Sequence, residues 1–208
     1  MGRKMKLKLA RKTFAIFGYK GGGKSILGKT IAQTYGAKCL VYDTLHECPQ
    51  QAAFHSYPPK NRYSETELES VVALLKANKA YRMFIIDEAN RFCPPKPRPL
   101  PQGIADLNDW CRHPQFNMSV GYIARRPVQI NTDLTELCDY LFLFQLGGKN
   151  DIKYLNDLRH GLGDVVQNLP PFHYVIAAQN RTWEVMNPVK VDKIFMDSDT
   201  RRLTSGSY

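Results

Sequence analysis

The sequence predicts an α/β fold in which helices flank a central, mainly parallel sheet. Short apolar runs bounded by glycine or polar residues indicate buried strands, and segments of helical periodicity lie between them. This alternation is typical of parallel sheets, because each crossover helix covers one face of the sheet. The last two apolar runs follow one another without a helix between them, which predicts a C-terminal antiparallel strand pair.

Length and composition limit the domain organisation. The chain has 208 residues, 43% of them hydrophobic, which is enough for one well-buried core and short for two. We expect a basic N-terminal arm over residues 1–12, one domain over residues 13–196 and a polar C-terminal tail over residues 197–208. No apolar stretch reaches the roughly 18 residues that cross a bilayer, so no transmembrane segment is expected. The five cysteines, an odd number without a CxxC pair, are predicted to be reduced thiols.

The charge of the chain is strongly basic. Lys and Arg number 29 against 19 Asp and Glu, which gives a formal net charge of +10. Such a surplus favours a polyanionic partner, nucleic acid before acidic lipid, although solubilising charge is an alternative. The N-terminal arm, MGRKMKLKLARK, leaves two interpretations open: a contact to nucleic-acid phosphates or an anionic membrane, or a solvated leader.

The first elements of the fold follow from apolar runs and helical spacing. Thr13–Phe17, Cys39–Asp43 and Met83–Ile86 are apolar runs of strand length. A helix is predicted over Lys24–Tyr35, with Gly36 as its C-cap.

The second helix is predicted from its start signal. Ser64 and Glu67 form a capping box, in which the two residues satisfy each other's free N–H groups. An apolar stripe then follows at helical spacing: Leu68, Val71, Val72, Leu75 and Ala80.

Prolines and further apolar runs organise the second half. The segment Cys93–Gly103 contains five prolines and is therefore predicted to be an exposed loop. Helices are expected over Ile104–Arg112 and Tyr154–Leu162. The remaining strand candidates are SVGYIA, YLFLFQL, HYVIAAQ and TWEVMNPV, the last of which would pair antiparallel with the one before it.

The stretch GYKGGGKS, residues 18–25, lies between the first strand and the first helix and matches the pattern G-x-x-x-x-G-K-S/T. Its glycines let backbone N–H groups approach phosphate oxygens, and the helix N-terminus adds a positive dipole end. In this P-loop pattern Lys24 reaches the β- and γ-phosphates of ATP, and the Ser25 hydroxyl ligates Mg²⁺. A dinucleotide-binding turn is excluded, because the strand ends at Gly18 and two bulky residues follow. The predicted nucleotide-binding residues are Gly18, Tyr19, Lys20, Gly21, Gly22, Gly23, Lys24, Ser25 and Ile26.

The third predicted strand ends in the acidic pair Asp87 and Glu88. Because open α/β sheets bind ligands at the carboxyl ends of strands, Asp87 is placed to hold Mg²⁺ through water beside Ser25. Glu88 is placed to polarise a water molecule against the γ-phosphate, and two adjacent acids would be costly without a cation. The alternative is a solvated acid pair at the surface. The pair resembles the hydrolytic, motor-type branch of P-loop NTPases, and the sequence contains no N/T-K-x-D guanine-recognition motif.

A more specific pattern lies in GYIARRPVQINTDLTELCDYLFLFQL, residues 121–146. One strand ends in Arg-Arg-Pro, and an Asp-Tyr-Leu-Phe-Leu-Phe strand follows a polar segment. With the P-loop and the acidic pair, this order resembles the FtsK–HerA superfamily of DNA-pumping ATPases, in which the corresponding strand ends in a Thr-Gln-Arg-Pro-like signature. Within this superfamily the sequence looks like the viral genome-packaging branch. It is especially similar to the packaging ATPases of tailless icosahedral viruses with an internal membrane, including the turreted archaeal viruses. The resemblance extends from Thr13 to Val189 and implies a RecA/ASCE-like P-loop NTPase fold.

One of two adjacent arginines departs from the family pattern. Arg125 stands where the family has a glutamine that senses the γ-phosphate, and Arg126 stands where the family has arginine. Either could neutralise transition-state charge as an arginine finger, so the predicted catalytic residues are Glu88, Arg126, Arg125 and Lys24. Which arginine acts within its own subunit and which reaches a neighbour stays open. A pair of surface or DNA-phosphate arginines is the alternative.

The resemblance implies an ATP-driven translocase that pumps double-stranded DNA into a viral capsid, with ATP and Mg²⁺ as cofactors. It implies a homo-oligomeric ring, a hexamer or a pentamer, that meets a capsid vertex or an internal-membrane protein. The location would be the host-cell cytoplasm during assembly and then the packaging vertex of the virion. Lys96 and Arg98 of the proline-rich loop would contact DNA, unless this loop has no special role. The alternatives are a filamentous-phage-type assembly or export ATPase and a non-motor, nucleotide-dependent scaffold.

Overall fold

A computed structural model describes residues 7–180 and 182–190 of the chain, and within these residues eight strands form one sheet. The strands are β1 (Thr13–Phe17), β2 (Cys39–Tyr42), β3 (His55–Tyr57), β4 (Met83–Ile86), β5 (Ser119–Ala124), β6 (Tyr140–Phe144), β7 (Tyr174–Ala178) and β8 (Trp183–Met186). The helices are α1 (Lys24–Tyr35), α2 (Glu65–Ala77), α3 (Gln102–Trp110), α4 (Thr132–Glu136), α5 (Lys149–Leu158) and α6 (Leu162–Gln167).

Parallel pairing dominates the sheet. Its strands lie in the order β3-β2-β4-β5-β1-β6-β7-β8. All pairs from β3 to β6 in this order are parallel, whereas β7 pairs antiparallel with both β6 and β8. This arrangement confirms the predicted fold class, including the C-terminal antiparallel pair.

The strand order brings the predicted motifs to one edge. β5 lies between β1 and β4, with Phe17 opposite Ala124 and Ile86 opposite Tyr122. Because these three strands are parallel, the residues that follow them emerge at the same edge of the sheet. The phosphate-binding loop follows β1, the acidic pair follows β4, and the two arginines follow β5.

Both faces of the sheet are covered by helices. Side chains of successive strand residues point to opposite faces, so Phe14 and Ile16 pack with α1, whereas Ala15 and Phe17 belong to the core that α2, α3 and α5 cover. In β5, Gly121 makes room for this packing, since a Cβ atom there would lie 2.3 Å from Cζ of Phe14. Apolar burial on both faces fixes the sheet at the centre of the fold.

The predicted helix over Tyr154–Leu162 is wrong. α5 ends at Leu158 and α6 begins at Leu162, because Gly161 takes a left-handed conformation with a φ of 77° that interrupts the helix. Strand β3 is not indicated by any apolar run, since its three residues, HSY, are exposed or half-buried at the sheet edge.

The capping box at the start of α2 forms in one direction only. Ser64 Oγ accepts the backbone N–H of Glu67 at 3.1 Å, as predicted. The Glu67 carboxylate instead accepts the backbone N–H groups of Lys60 (2.8 Å) and Asn61 (3.0 Å), so the predicted reciprocal bond is wrong. The stripe residues within the helix are buried, whereas Ala80 lies beyond its end and is exposed.

The chain ends extend beyond the described residues. Residues 1–6 of the basic arm, residues 191–196 and the predicted tail over residues 197–208 lie outside them, so the domain limits stay a prediction. Within the arm, Lys12 Nζ lies 2.8 Å from Oδ1 of Asp139, a buried carboxylate that Arg112 also approaches to 2.9 Å. The five cysteines are free. No helix in the described ranges is long and apolar enough to cross a membrane.

Candidate active site

The glycine-rich loop packs against the side chain of Phe144 at the end of β6. A Cβ atom on Gly18 would lie 2.5 Å from the Phe144 Cβ, and one on Gly23 would lie 2.9 Å from its Cε1. Both glycines also have positive φ angles, 155° and 106°, which other residues rarely adopt. The loop therefore requires glycine at these two positions for close packing as well as for its backbone conformation.

The first turn of α1 follows directly after this loop. Gly23 is the N-cap and supplies no side-chain cap, and the turn that contains Ser25 and Ile26 carries no acidic residue. N–H groups at a helix start lack partners within the helix and form the positive end of its dipole. This turn is therefore suited to bind a phosphate group.

Lys24 lies folded over the loop. Its Nζ donates a hydrogen bond to the Tyr19 carbonyl at 2.9 Å, and the residue is 9% exposed. Burial lowers the pKa of the Lys24 ammonium, while the charges of Glu88 and Asp87 act in the opposite direction. The ammonium is thus within electrostatic reach of both carboxylates.

Asp87 is held at the end of β4 by contacts to the neighbouring strand. Its N–H donates to the Tyr42 carbonyl (3.1 Å), and its own carbonyl accepts the Thr44 hydroxyl (2.8 Å). Its Oδ1 accepts the N–H of Glu88 at 2.9 Å. Burial raises the pKa of the Asp87 carboxyl to about 7. The hydrogen bond from the Glu88 N–H acts in the opposite direction, and the charges of Glu88, Asp43 and Glu47 add to the rise. A cation beside this buried carboxyl would favour its charged form.

The donor atoms at this edge fit Mg²⁺ bound together with a nucleotide. Ser25 offers a hydroxyl oxygen and Asp87 a carboxylate, both oxygen donors that Mg²⁺ prefers. Among the described residues no group of three or more His, Cys, Asp or Glu is placed to hold a metal ion. Mg²⁺ held by Ser25 and Asp87 would therefore complete its shell with phosphate and water oxygens, as it does in nucleotide enzymes.

Glu88 lies between two arginines. Its backbone has a φ of 51°, in the left-handed region, and its side chain is 11% exposed. Arg125 Nε lies 3.4 Å from its Oε2, and Arg91 Nε lies 3.9 Å from the same atom. Arg91 was not among the residues predicted from the sequence, although its position three residues after Glu88, within a short 3₁₀ turn, is a signal that indicates it.

Arg125 and Arg126 have different partners although they are adjacent. Arg125 is half exposed and pairs with Glu88. Arg126 Nε donates to Oδ2 of Asp151 at 2.7 Å, and Asp151 is fully buried in the first turn of α5. The structure therefore brings Arg125 to the acidic pair and directs Arg126 to α5.

The remaining predicted residues lie around this centre. The Tyr19 hydroxyl accepts the N–H of Gly147 at 2.6 Å, which connects the phosphate-binding loop to the segment after β6. Lys20 and Gly21 are exposed, and the N–H of Gly22 donates to the Tyr19 carbonyl at 3.1 Å.

The predicted DNA contacts lie in the proline-rich loop. Lys96 Nζ lies 2.7 Å from Oδ1 of Asp133 in an exposed ion pair. Arg98 is exposed, and its carbonyl oxygen accepts a hydrogen bond from Asn131 Nδ2 at 3.4 Å. Their role in binding DNA stays a prediction.

Comparison with known proteins gives matches in structure. No protein-family model matches the sequence, and no curated protein matches it. The genome packaging NTPase B204 from Sulfolobus turreted icosahedral virus 2 in complex with ATP-gammaS has a similar structure, with a TM-score of 0.72 and 15% identity over 86% of this chain and 98% of that chain. The structure of B204, the DNA-packaging ATPase from Sulfolobus turreted icosahedral virus, is also similar, with a TM-score of 0.72 and 16% identity. This match covers 88% of this chain and 100% of that chain.

A more distant structural match is the N-terminal domain of zonular occludens toxin from Neisseria meningitidis, with a TM-score of 0.53 and 13% identity over 90% of this chain and 98% of that chain. The fold is that of a P-loop NTPase. At these identities the likeness establishes the fold alone. In this P-loop NTPase fold the glycine loop, Asp87 and Glu88 lie at one sheet edge. Further structures of the similar B204 protein are complexes with AMP or AMPPCP.

Proposed function

We propose that the protein is an ATPase that drives double-stranded DNA into a viral capsid. The observation that carries this proposal is the meeting of the phosphate-binding loop with Asp87, Glu88 and Arg125 at one sheet edge. A phosphate loop alone would suit any nucleotide-binding protein, whereas an acid beside it is suited to hydrolysis. The likeness to two structures of packaging NTPases and the net charge of +10 support DNA as the substrate that is moved.

Nucleotide binding would use the residues Gly18–Ile26. The backbone N–H groups of the loop and of the first turn of α1 would hold the phosphates. Lys24 would exchange the Tyr19 carbonyl for β- and γ-phosphate oxygens. Ser25 and Asp87 would hold Mg²⁺, which neutralises phosphate charge when bound.

Hydrolysis would depend on Glu88. The carboxylate would orient a water molecule, whose oxygen forms a bond to the γ-phosphorus as the bond to the β–γ bridging oxygen breaks. The products are ADP and inorganic phosphate, and Glu88 accepts the proton that the water loses. Arg125 lies 3.4 Å from this carboxylate in its own chain, so it would act in cis, first on Glu88 and then on a γ-phosphate oxygen.

Arg126 is suited to a different subunit. Its guanidinium is about one-third exposed and pairs with buried Asp151, whereas the carboxylate of Glu88 in the same chain pairs with Arg125. An arginine held in this way can neutralise transition-state charge in the site of a neighbour that docks against it, which requires a head-to-tail interface. Closure of such an interface produces a ring, a hexamer or a pentamer in this proposal. The ring would act at a capsid vertex or beside an internal-membrane protein, after assembly in the host-cell cytoplasm.

The test is ATP turnover with and without double-stranded DNA across a salt series. The proposal expects DNA to stimulate turnover and the stimulation to fade with salt, because the contacts are to phosphates. Turnover that ignores DNA, together with a Glu88→Gln variant as active as the parent, would overturn it. That outcome would favour a nucleotide-dependent scaffold.

A further inference from the structure

Two loops at the carboxyl edge of the sheet enclose a basic cleft that the proposed chemistry does not use. The cleft has a volume of about 480 Å³ and is lined by residues 44–46 after β2 and residues 59–63 after β3. Because β3 runs parallel to β2, these loops lie at the same edge as the phosphate-binding loop. Lys60 and Arg62 are exposed here, which makes the surface cationic.

The loop that carries these cations is anchored by its backbone. The Glu67 carboxylate accepts the N–H of Lys60 at 2.8 Å, and His46 Nε2 lies 3.1 Å from the Pro59 carbonyl oxygen. The side chain of Arg62 projects from this anchored backbone. A cationic surface on a fixed backbone loses little conformational entropy when it binds a polyanion.

A continuous series of contacts leads from this loop to Glu88. Arg62 Cζ lies 5.3 Å from the centroid of the Tyr63 ring, and Arg91 Cζ lies 4.8 Å from the same centroid. Arg91 Nε then lies 3.9 Å from Oε2 of Glu88, which also pairs with Arg125. Cations are attracted to the face of an aromatic ring, so Tyr63 joins two guanidinium groups.

Arg91 is the internal member of this series. Its side chain is 15% exposed, and its Nη1 is buried without a hydrogen-bond partner among the described residues. The Tyr63 ring and the Glu88 carboxylate are therefore the contacts that position this guanidinium.

We propose that the phosphates of double-stranded DNA bind at Lys60 and Arg62, and that the Tyr63–Arg91 contact transmits this binding to Glu88. A DNA phosphate that binds Arg62 draws this guanidinium away from the Tyr63 ring. Arg91 is then the single cation on the ring, and its guanidinium moves relative to the Glu88 carboxylate. Arg91 is then a positioning residue, and DNA occupancy sets the orientation of the acid that activates water. The inference rests on the proposed function, because it assumes that DNA is the substrate of the motor.

The test compares two double variants, each of which removes two positive charges, one variant at each edge of the sheet. The double variant Lys60→Gln/Arg62→Gln is compared with Lys38→Gln/Lys79→Gln, two exposed lysines that precede β2 and β4 at the opposite edge. In the first variant the negative slope of log affinity for DNA against log salt is expected to become shallower by about 1.8, which is about 0.9 for each lost phosphate contact. The second is expected to leave this slope and DNA-stimulated turnover unchanged. Equal slopes for the two variants would overturn the binding site.

The route to Glu88 is tested at the aromatic ring. Tyr63→Leu removes the ring, whereas Tyr63→Phe keeps it. Tyr63→Leu is expected to bind DNA as the parent does. The ratio of DNA-stimulated to basal turnover is expected to fall roughly three- to tenfold, because this is the factor that corresponds to the free energy of a partly exposed cation–π contact. Tyr63→Phe is expected to retain that ratio. If Tyr63→Leu is stimulated like the parent, the transmission is disproved.

Failure of this inference differs from failure of the proposed function. A parent protein that DNA does not stimulate would overturn both. If DNA stimulates ATP turnover equally in the parent and in the Lys60→Gln/Arg62→Gln variant, the inference is overturned, but the proposed motor function is retained.

Discussion

The phosphate-binding loop and the acidic segment after β4 meet at one edge of the sheet, but they are built in different ways. The loop depends on backbone shape, because Gly18 and Gly23 take positive φ angles against the Phe144 side chain. The acidic segment depends on charge, since Asp87 is buried with a raised pKa and Glu88 lies between Arg91 and Arg125. In the proposed function this difference divides the work, because the loop would bind the nucleotide and the acidic segment would cleave it.

The largest expected effect concerns Arg126, which in the proposed function completes the acidic side of the site in a neighbouring subunit. Arg126→Ala is expected to lower ATP turnover by about 10³–10⁵-fold, the usual contribution of an arginine finger. Mixing Arg126→Ala with Glu88→Gln subunits should restore part of the activity, because one subunit then supplies the arginine and the next the acid. Turnover of the mixed sample measures this, and no recovery would assign Arg126 to its own chain.

The second prediction separates cleavage from binding. Glu88→Gln keeps the shape of the side chain but removes its basicity, so turnover is expected to fall by about 10²–10⁴-fold. Affinity for a non-hydrolysable ATP analogue should remain close to that of the parent. Calorimetric titration checks the affinity, and a variant that loses both binding and turnover would contradict the division between the two regions.

The third prediction concerns the shape of the loop. Gly23→Ala is expected to reduce ATP binding and to destabilise the protein by about 1–3 kcal/mol, since its Cβ would meet Phe144 in a strained conformation. Gly21→Ala is the control, because that position has a φ of 77° but no atom within 4 Å of an added Cβ. Denaturant unfolding should show a smaller loss for the control. Equal losses would mean that backbone strain decides the effect and contact with Phe144 does not.

The last prediction is an effect that only the pH reveals, on the acidic side of the site. Burial raises the pKa of Asp87 from 3.8 to about 7, so the folded protein holds this proton more tightly than the unfolded chain between these values. The nucleotide-free protein therefore loses stability from this group as the pH rises through that window. Asp87→Asn should remove this loss and be more stable than the parent near pH 8, by on the order of 1–3 kcal/mol. Near pH 4 the two should differ little, and unfolding curves at both pH values check this.

Local patterns predicted most of the structure and only part of the site. The spacing GYKGGGKS placed the loop between a strand and a helix, and apolar runs placed β1 and β4, because both signals are local in the chain. Two local predictions were wrong. The Glu67 carboxylate accepts N–H groups of the loop before α2 and not the N–H of Ser64. The helix predicted over Tyr154–Leu162 is interrupted, because Gly161 takes a left-handed conformation between α5 and α6. The position of Arg91 beside Glu88 was not predicted.

The sequence by itself determined the alternation of most strands and helices, the glycine-rich loop between β1 and α1, and the acids at the end of β4. These features follow from periodicity and from backbone requirements that a few consecutive residues express. Only the tertiary structure decided which charges meet. Arg125 and Arg126 are neighbours in the chain, yet one pairs with Glu88 and the other with buried Asp151, because strand pairing and helix packing bring residues 25 to 37 positions apart into contact.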